Sequence, residues 1–222
     1  MNKTSIEFCD FTLNPIIGCR NGCKYCWARK LNNRYFKNND FFTPKFYPER
    51  LNEKIPGLPK KRNEIAKMIS LNKPIIFMVD MGDIFSDGVH LDWKKQVFRY
   101  AEMHKEVNFL FLTKRPNDYI NWTERMSINV FLGTSIDYAH NKGRLEPIKT
   151  IGRRGFRTFV NIEPLMSRMD GVDFSGIDFV IVGALTGQKY RPDPGWHKSI
   201  KHPRIYYKKN YQVYFPELIY QL

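Results

Sequence analysis

The chain has 222 residues and a formal net charge of +14, from 36 lysines and arginines against 22 acids, and aromatic residues make up 15% of it. That length suits one domain that buries its own core; four cysteines are too few for a disulfide scaffold, and 15% aromatics are too many for a disordered polybasic chain. No apolar run approaches the ~20 residues of a membrane span, and the first eight residues lack the apolar core of a signal peptide, so a cytoplasmic protein with no membrane role is expected.

In chain order, a short strand is expected before the cysteines. Cys26–Tyr35 reads as a helix with Trp27 and Leu31 on one side. Ile65, Met68 and Ile69 share a face of a second helix. The runs Pro74–Val79, Asn108–Leu112, Asn129–Leu132, Thr158–Ile162 and Ile177–Val182 are short and nearly all apolar. That is the pattern of strands buried on both faces of a parallel sheet. Between the first two runs Asp92 is the expected cap of a helix that aligns Trp93, Val97, Phe98 and Ala101. Arg144–Ile151 is the helix expected before the fourth run. Alternation of this kind builds right-handed βα units. The fold class predicted is α/β, an open, partial βα barrel of about six parallel strands, because a full eightfold barrel takes about 250 residues; a flat doubly wound sheet is the alternative. Residues 1–222 are expected to form one domain.

Each run ends in a polar segment, and in parallel α/β folds that edge carries the active site. Asp80, Gly82 and Asp83 follow the first run, Lys114 and Arg115 the second, Ser135 and Asp137 the third, and Glu163 the fourth. Gly82 permits close backbone approach, and Asp80 or Asp83 can accept from an ammonium. Lys114 and Arg115 suit a carboxylate or phosphate, or an ion pair with Asp83 or Glu163. A carboxylate such as Glu163 is rarely placed at such an edge for packing. The five histidines show no metal-ligand spacing.

Three of the four cysteines fall within eight residues, Cys19, Cys23 and Cys26, with Cys-x3-Cys-x2-Cys spacing on a loop that leads into a helix. Clustered thiolates select zinc, copper or an iron–sulfur cluster. Zinc wants four ligands, and Cys9 is available as the fourth; otherwise Cys9 reads as a small buried apolar residue. Three thiolates on a four-iron cluster leave one iron open to a substrate or cofactor.

This spacing, with Tyr25 just before the third cysteine, resembles the radical S-adenosylmethionine (AdoMet) enzymes. Ser5–Glu7, Asn14-Pro15, Gly18-Cys19, Gly22-Cys23 and Tyr25–Ala28 further resemble a phage-associated branch of that superfamily. So do Asp83–Phe85, Leu112–Pro116, Leu132-Gly133, Ile162–Leu165 and Ile181–Gly183. The likeness runs from about Ser5 to about Trp196. It implies a [4Fe-4S] cluster on Cys19, Cys23 and Cys26 in the loop 18–27, and AdoMet across the strand ends near Asp80, Gly82, Asp83, Lys114, Arg115, Ser135, Asp137 and Glu163. It also implies reductive cleavage of AdoMet to a 5′-deoxyadenosyl radical that abstracts hydrogen from substrate. A one-electron donor of the flavodoxin or ferredoxin type is the implied partner. The chain departs from the branch at Phe8-Cys9, where a tryptophan is usual, and at Gly183–Gly187, where an acid is missing. Little length is left for a second cluster domain.

The positive charge favours polyanions, so the expected substrate is a nucleic acid or nucleotide. The charge concentrates in Arg29–Arg62, with ten cations against three acids, and in the carboxy-terminal segment 187–222, with seven against two. Substrate contacts are expected at the barrel mouth, in the loop Arg34–Pro59 or on that basic segment. Lys198–Tyr214 interleaves cations with Tyr206, Tyr207, Tyr211 and Tyr214, which suits base stacking or a last strand and helix that close the barrel. The alternative function is a non-catalytic nucleic-acid-binding module whose cysteines hold a structural zinc.

Overall fold

The computed structural model describes residues 1–35, 40–187 and 190–220. Residues 36–39 of the basic loop, and 188–189 and 221–222 of the basic carboxy-terminal segment, lie outside that description. Two strands come first, β1 (Asn2–Lys3) and β2 (Phe11–Leu13). A small ribbon of β3 (Ile16–Ile17) brackets the cysteine loop and helix α1 (Trp27–Tyr35) with β4 (Lys45–Phe46). After α2 (Glu64–Met68) strands and helices mostly alternate: β5 (Ile75–Met78), α3 (Leu91–Met103), β6 (Asn108–Thr113), α4 (Asn117–Ile120) and β7 (Val130–Ser135). Then come α5 (Leu145–Arg153), β8 (Arg157–Ile162), β9 (Phe179–Val182), α6 (Pro194–Lys198), β10 (Ile205–Tyr207) and α7 (Lys209–Gln212).

The main sheet runs β1-β2-β5-β6-β7-β8-β9-β10. Among the described residues only β1 is antiparallel to its neighbour in this sheet, and the other seven strands run parallel in the expected open, barrel-like array. The seventh is β10, from the tyrosine-rich tail. Tyr206, Tyr207 and Tyr211 are buried there, so they pack the fold instead of offering faces to bases.

Side chains alternate across each strand, as a two-residue period requires. Ile76, Phe109, Phe111, Val130, Leu132, Val160, Val180 and Val182 face the helices, where Val97, Phe98, Ala101, Ile148 and Ile151 meet them. Ile75, Phe77, Leu110, Phe131, Phe159, Phe179, Ile181 and Tyr206 fill the other face, closed by Phe8 and Cys9 and by Ile65 and Ala66 of α2. Gly133 makes that filling possible: a Cβ there would lie 2.4 Å from Phe159 Cζ. Cys9 therefore belongs to the core.

One helix start differs from expectation. The residue preceding α3 is His90, and Asp92 sits inside the first turn, where its carboxylate pairs with Lys95 at 2.9 Å. An acid is favourable anywhere in that turn, so composition alone does not separate cap from second residue. In α1, Trp27 and Leu31 do share a side, but it is an exposed one; the buried residues are Ala28 and Asn32.

Candidate functional site

The carboxyl ends of the parallel strands meet the cysteine loop. The loop is tied down by backbone: Gly18 N–H donates to Met81 O at 3.1 Å and Cys19 N–H to Phe41 O at 2.9 Å. Gly18 has φ +103°, and a Cβ on it would lie 2.8 Å from Phe41 O. Gly82 faces it, and a Cβ there would meet Gly18 O at 2.9 Å. Two glycines thus let the loop lie directly on the end of β5.

Cys19, Cys23 and Cys26 line one cleft, together with Tyr25, Asp80 and Gly82. Asn21 N–H donates to Cys19 Sγ at 3.4 Å and Arg29 N–H to Cys26 Sγ at 3.3 Å. Such donors stabilise thiolate over thiol. Burial works against them, pushing Cys19 up to about 11 and raising Cys23 despite the Lys114 charge. A metal that takes these sulfurs must therefore displace protons. Among the described residues no three His, Cys, Asp or Glu side chains converge closely enough to hold one metal ion. Cys9, in the core, does not line this cleft.

The other expected residues occupy the same edge in different states. Asp83 is 4% exposed and takes four donors. They are Asn21 Nδ2 at 2.7 Å, Thr113 Oγ1 at 2.7 Å, and the N–H groups of Phe85 and Lys114 at 3.0 Å. It is a hub that joins the cysteine loop to β6. Asp137 accepts from Tyr25 OH at 2.5 Å and from Asn141 Nδ2 at 2.9 Å. Lys114 Nζ donates to Tyr25 OH at 3.0 Å. Burial pushes Asp137 up, but the Tyr25 hydrogen bond and the Lys114 charge outweigh it and hold the carboxyl below its ordinary range. Glu163 accepts from Lys208 Nζ at 2.6 Å. Gly183 gives it room, since a Cβ at 183 would lie 2.8 Å from Glu163 Cδ. Ser135 lines the cleft. Arg115 forks onto Asp87 at 2.6 and 2.5 Å instead of onto Asp83 or Glu163, and it does not line the cleft.

Two groups stay under-partnered. Asp80 accepts from the Asn14 amide, and burial pushes its carboxyl up to about 6 against that bond. Asn161, 6% exposed on β8, has a buried Oδ1 with no hydrogen-bond partner. Asn21, Asn161 and the site role of Lys208 escape sequence reasoning. The available signal for Asn161 is one polar residue inside an otherwise apolar run.

The family described as "Protein of unknown function (DUF5131)" matches residues 3–214. Solved structures of spore photoproduct lyase share the fold. A double mutant with bound AdoMet and dinucleoside spore photoproduct superposes with a TM-score of 0.58, and a form complexed with dinucleoside spore photoproduct with 0.55. Both are 11% identical and cover 97% of this chain. The chain in turn spans 63% of the lyase chains. No curated protein sequence matches. Among the described residues no helix is long and apolar enough to cross a membrane.

Proposed function

The chain belongs to the DUF5131 family of proteins of unknown function, and within it we propose a radical AdoMet enzyme that acts on a nucleic acid or nucleotide. One observation carries this reading. Three thiols and an under-partnered carboxylate border a single cleft at the strand ends of a fold shared with an enzyme solved with AdoMet bound. In this reading 1–222 acts as one domain, and Cys19, Cys23 and Cys26 hold a [4Fe-4S] cluster. When bound, the cluster supplies the electron that cleaves AdoMet and makes the radical that takes hydrogen from substrate.

The protein's own residues divide the remaining work. Asp80 receives the ammonium of AdoMet, because it is a half-buried carboxylate held by the Asn14 amide and its own backbone N–H with no cation beside it. Gly82 lets the cysteine loop lie against the backbone at the end of β5. Asp83 and Asp137 hold the loop and Tyr25 in place. Ser135 is offered to the ribose hydroxyls or the carboxylate of AdoMet and Glu163 to its ribose, its ammonium or the substrate, and Lys114 sets the charge around Tyr25. Arg115 is held outside by Asp87 and contributes charge at the rim. The electron comes from an external donor of the flavodoxin or ferredoxin type. The net charge of +14 and the dinucleoside in the lyase structures support the substrate class.

The number of thiols favours a cluster over structural zinc. Structural zinc takes four ligands, and three cysteines line the cleft. A four-iron cluster takes each of three thiolates on a different iron. Cys9 is also missing from the cleft. The test is anaerobic reconstitution, which is expected to load about four irons per chain. Dithionite with AdoMet is then expected to yield 5′-deoxyadenosine, and Cys23→Ala to lose both. One zinc per chain and no iron would overturn the reading.

A further inference from the structure

The cleft has two chambers. One lies against the cysteines, between Tyr25, Thr113 and Ser135. The other lies against the amino-terminal segment and is lined by Ser5, Ile6, Phe8, Phe77 and Lys208. Asp80, Gly82, Asn161 and Glu163 border both. If AdoMet occupies the first, a substrate that gives hydrogen to a radical made there must sit beside it, in the second.

The second chamber has a definite chemistry. Phe8 and Phe77 line it, but they are buried in the core and packed on each other with ring centroids 5.5 Å apart, so they give it an apolar floor and no open stacking face. Lys208 is spent on Glu163 at 2.6 Å and lies 5.7 Å from the centroid of the Phe8 ring, so the chamber offers no uncompensated cation to an anion. On the shared wall stands Asn161, two residues beyond Phe159 and so on the same face of β8. Its Oδ1 is buried without a partner. A buried amide left unpaired is costly, and the four residues flanking Asn161, Phe159, Val160, Ile162 and Thr158, are all fully buried and mostly apolar. Asn63, Asn108 and Asn129 also leave a buried amide atom unpaired, but of these asparagines Asn161 alone lines the cleft, where a ligand can pair it. The Asn161 carboxamide presents a donor and an acceptor side by side in one plane, the complement of a nucleobase edge, as where asparagine reads adenine.

We infer that the second chamber is the substrate site and takes a nucleobase, its edge hydrogen-bonded to the Asn161 carboxamide. The inference rests on the AdoMet reading above and names where that enzyme holds its substrate.

Calorimetric titration of the reconstituted, AdoMet-saturated protein with each of the four deoxynucleosides tests it. At least one is expected to bind in the millimolar range or tighter. Asn161→Leu is expected to weaken that binding tenfold or more, with iron content unchanged and AdoMet affinity within twofold. Because leucine removes an unpaired buried polar atom, this variant should melt no lower than the parent, which separates lost binding from misfolding. Asn161→Asp keeps the shape but only accepts, and is expected to shift preference towards deoxycytidine, whose amino group donates. Failure of all four nucleosides to bind protein that holds iron and AdoMet would overturn the inference and leave the enzyme reading standing. So would an Asn161→Leu variant that loses AdoMet as severely as nucleoside, which would give Asn161 to the cofactor. Absence of iron or of AdoMet binding, measured before any nucleoside is added, would overturn both.

Discussion

The hydroxyl of Tyr25 donates to Oδ2 of Asp137 across 2.5 Å. It thereby pins the stretch between the second and third cysteines to the end of β7, 112 residues away in the chain. Lys114 completes the group, 3.0 Å from the hydroxyl and 3.8 Å from the carboxylate.

Tyr25→Phe keeps the ring and removes this tie. The expected cost is about 1.5–3 kcal/mol at pH 7, the range of a hydrogen bond to a charged group. The sign with pH follows from Asp137, whose folded value lies below its ordinary one. Its contribution is present above the unfolded carboxyl range and is lost as pH falls through the folded value. Tyr25→Phe is therefore expected to flatten the acid side of the stability profile. Urea denaturation at pH 7 and near pH 3 checks this: an equal loss at both pH values would mean that the bond does not stabilise the ionised carboxylate.

Gly82 and Gly18 form an isolated parallel bridge, and a Cβ on Gly82 would come within 2.9 Å of Gly18 O and 3.2 Å of Val79 Cγ1. Gly82→Ala must push the cysteine loop off β5, at about 1–3 kcal/mol by the usual cost of overpacking. The expected readouts are a lower melting temperature and fewer irons per chain after reconstitution. Gly22→Ala is the control, since nothing lies within 4 Å of a Cβ there and only its φ of +67° opposes the change. Equal iron loading in parent and Gly82→Ala would show that the bridge does not set the loop.

The strands and the cysteine loop were legible because their signals are local. An all-apolar run flanked by polar residues reads as a two-sided buried strand whatever lies elsewhere, and thiol spacing is counted along the chain. What escaped depends on distant partners. Asp83 looks like a free ligand until Asn21 and Thr113 are seen on it. Arg115 looks like a cleft cation until Asp87 takes it. Tyr206 and Tyr207 look the same in sequence whether they stack on bases or close a barrel; only β10 pairing with β9 decides. Asn161 was hidden among apolar neighbours because nothing local marks an amide as unpaired.

Asp80 predicts two opposite pH slopes. Burial pushes its carboxyl up to about 6, so the folded state holds this proton more tightly than the unfolded chain, whose value is near 4. Its contribution to stability is full below about pH 4 and is lost as pH rises to about 6. Asp80→Asn is expected to remove that slope and to stabilise the ligand-free protein by roughly 1–2 kcal/mol at pH 7. AdoMet affinity should run the other way in the parent. An ammonium binds the ionised form, so affinity falls below pH 6 by up to about tenfold per unit. Isothermal titration from pH 5 to 8 checks it. A profile in Asp80→Asn as steep as the parent's would place the ammonium elsewhere.

Lys208 and Glu163, 14% and 21% exposed at the side chain, pair at 2.6 Å across the ends of β10 and β8. The bridge spans β9 and passes over Gly183. Removing one partner strands a charge in a mostly buried place, which costs more than a surface pair and less than a fully buried one. Glu163→Gln and Lys208→Met are each expected to lose about 2 kcal/mol. The double variant should recover part of that sum, because neither leftover charge remains, with a coupling of about 1–2 kcal/mol. Chemical denaturation of the four proteins gives this coupling directly. Coupling near zero would mean that Lys208 carries an uncompensated charge into the cleft, and an anionic group of the substrate would then be the partner it awaits.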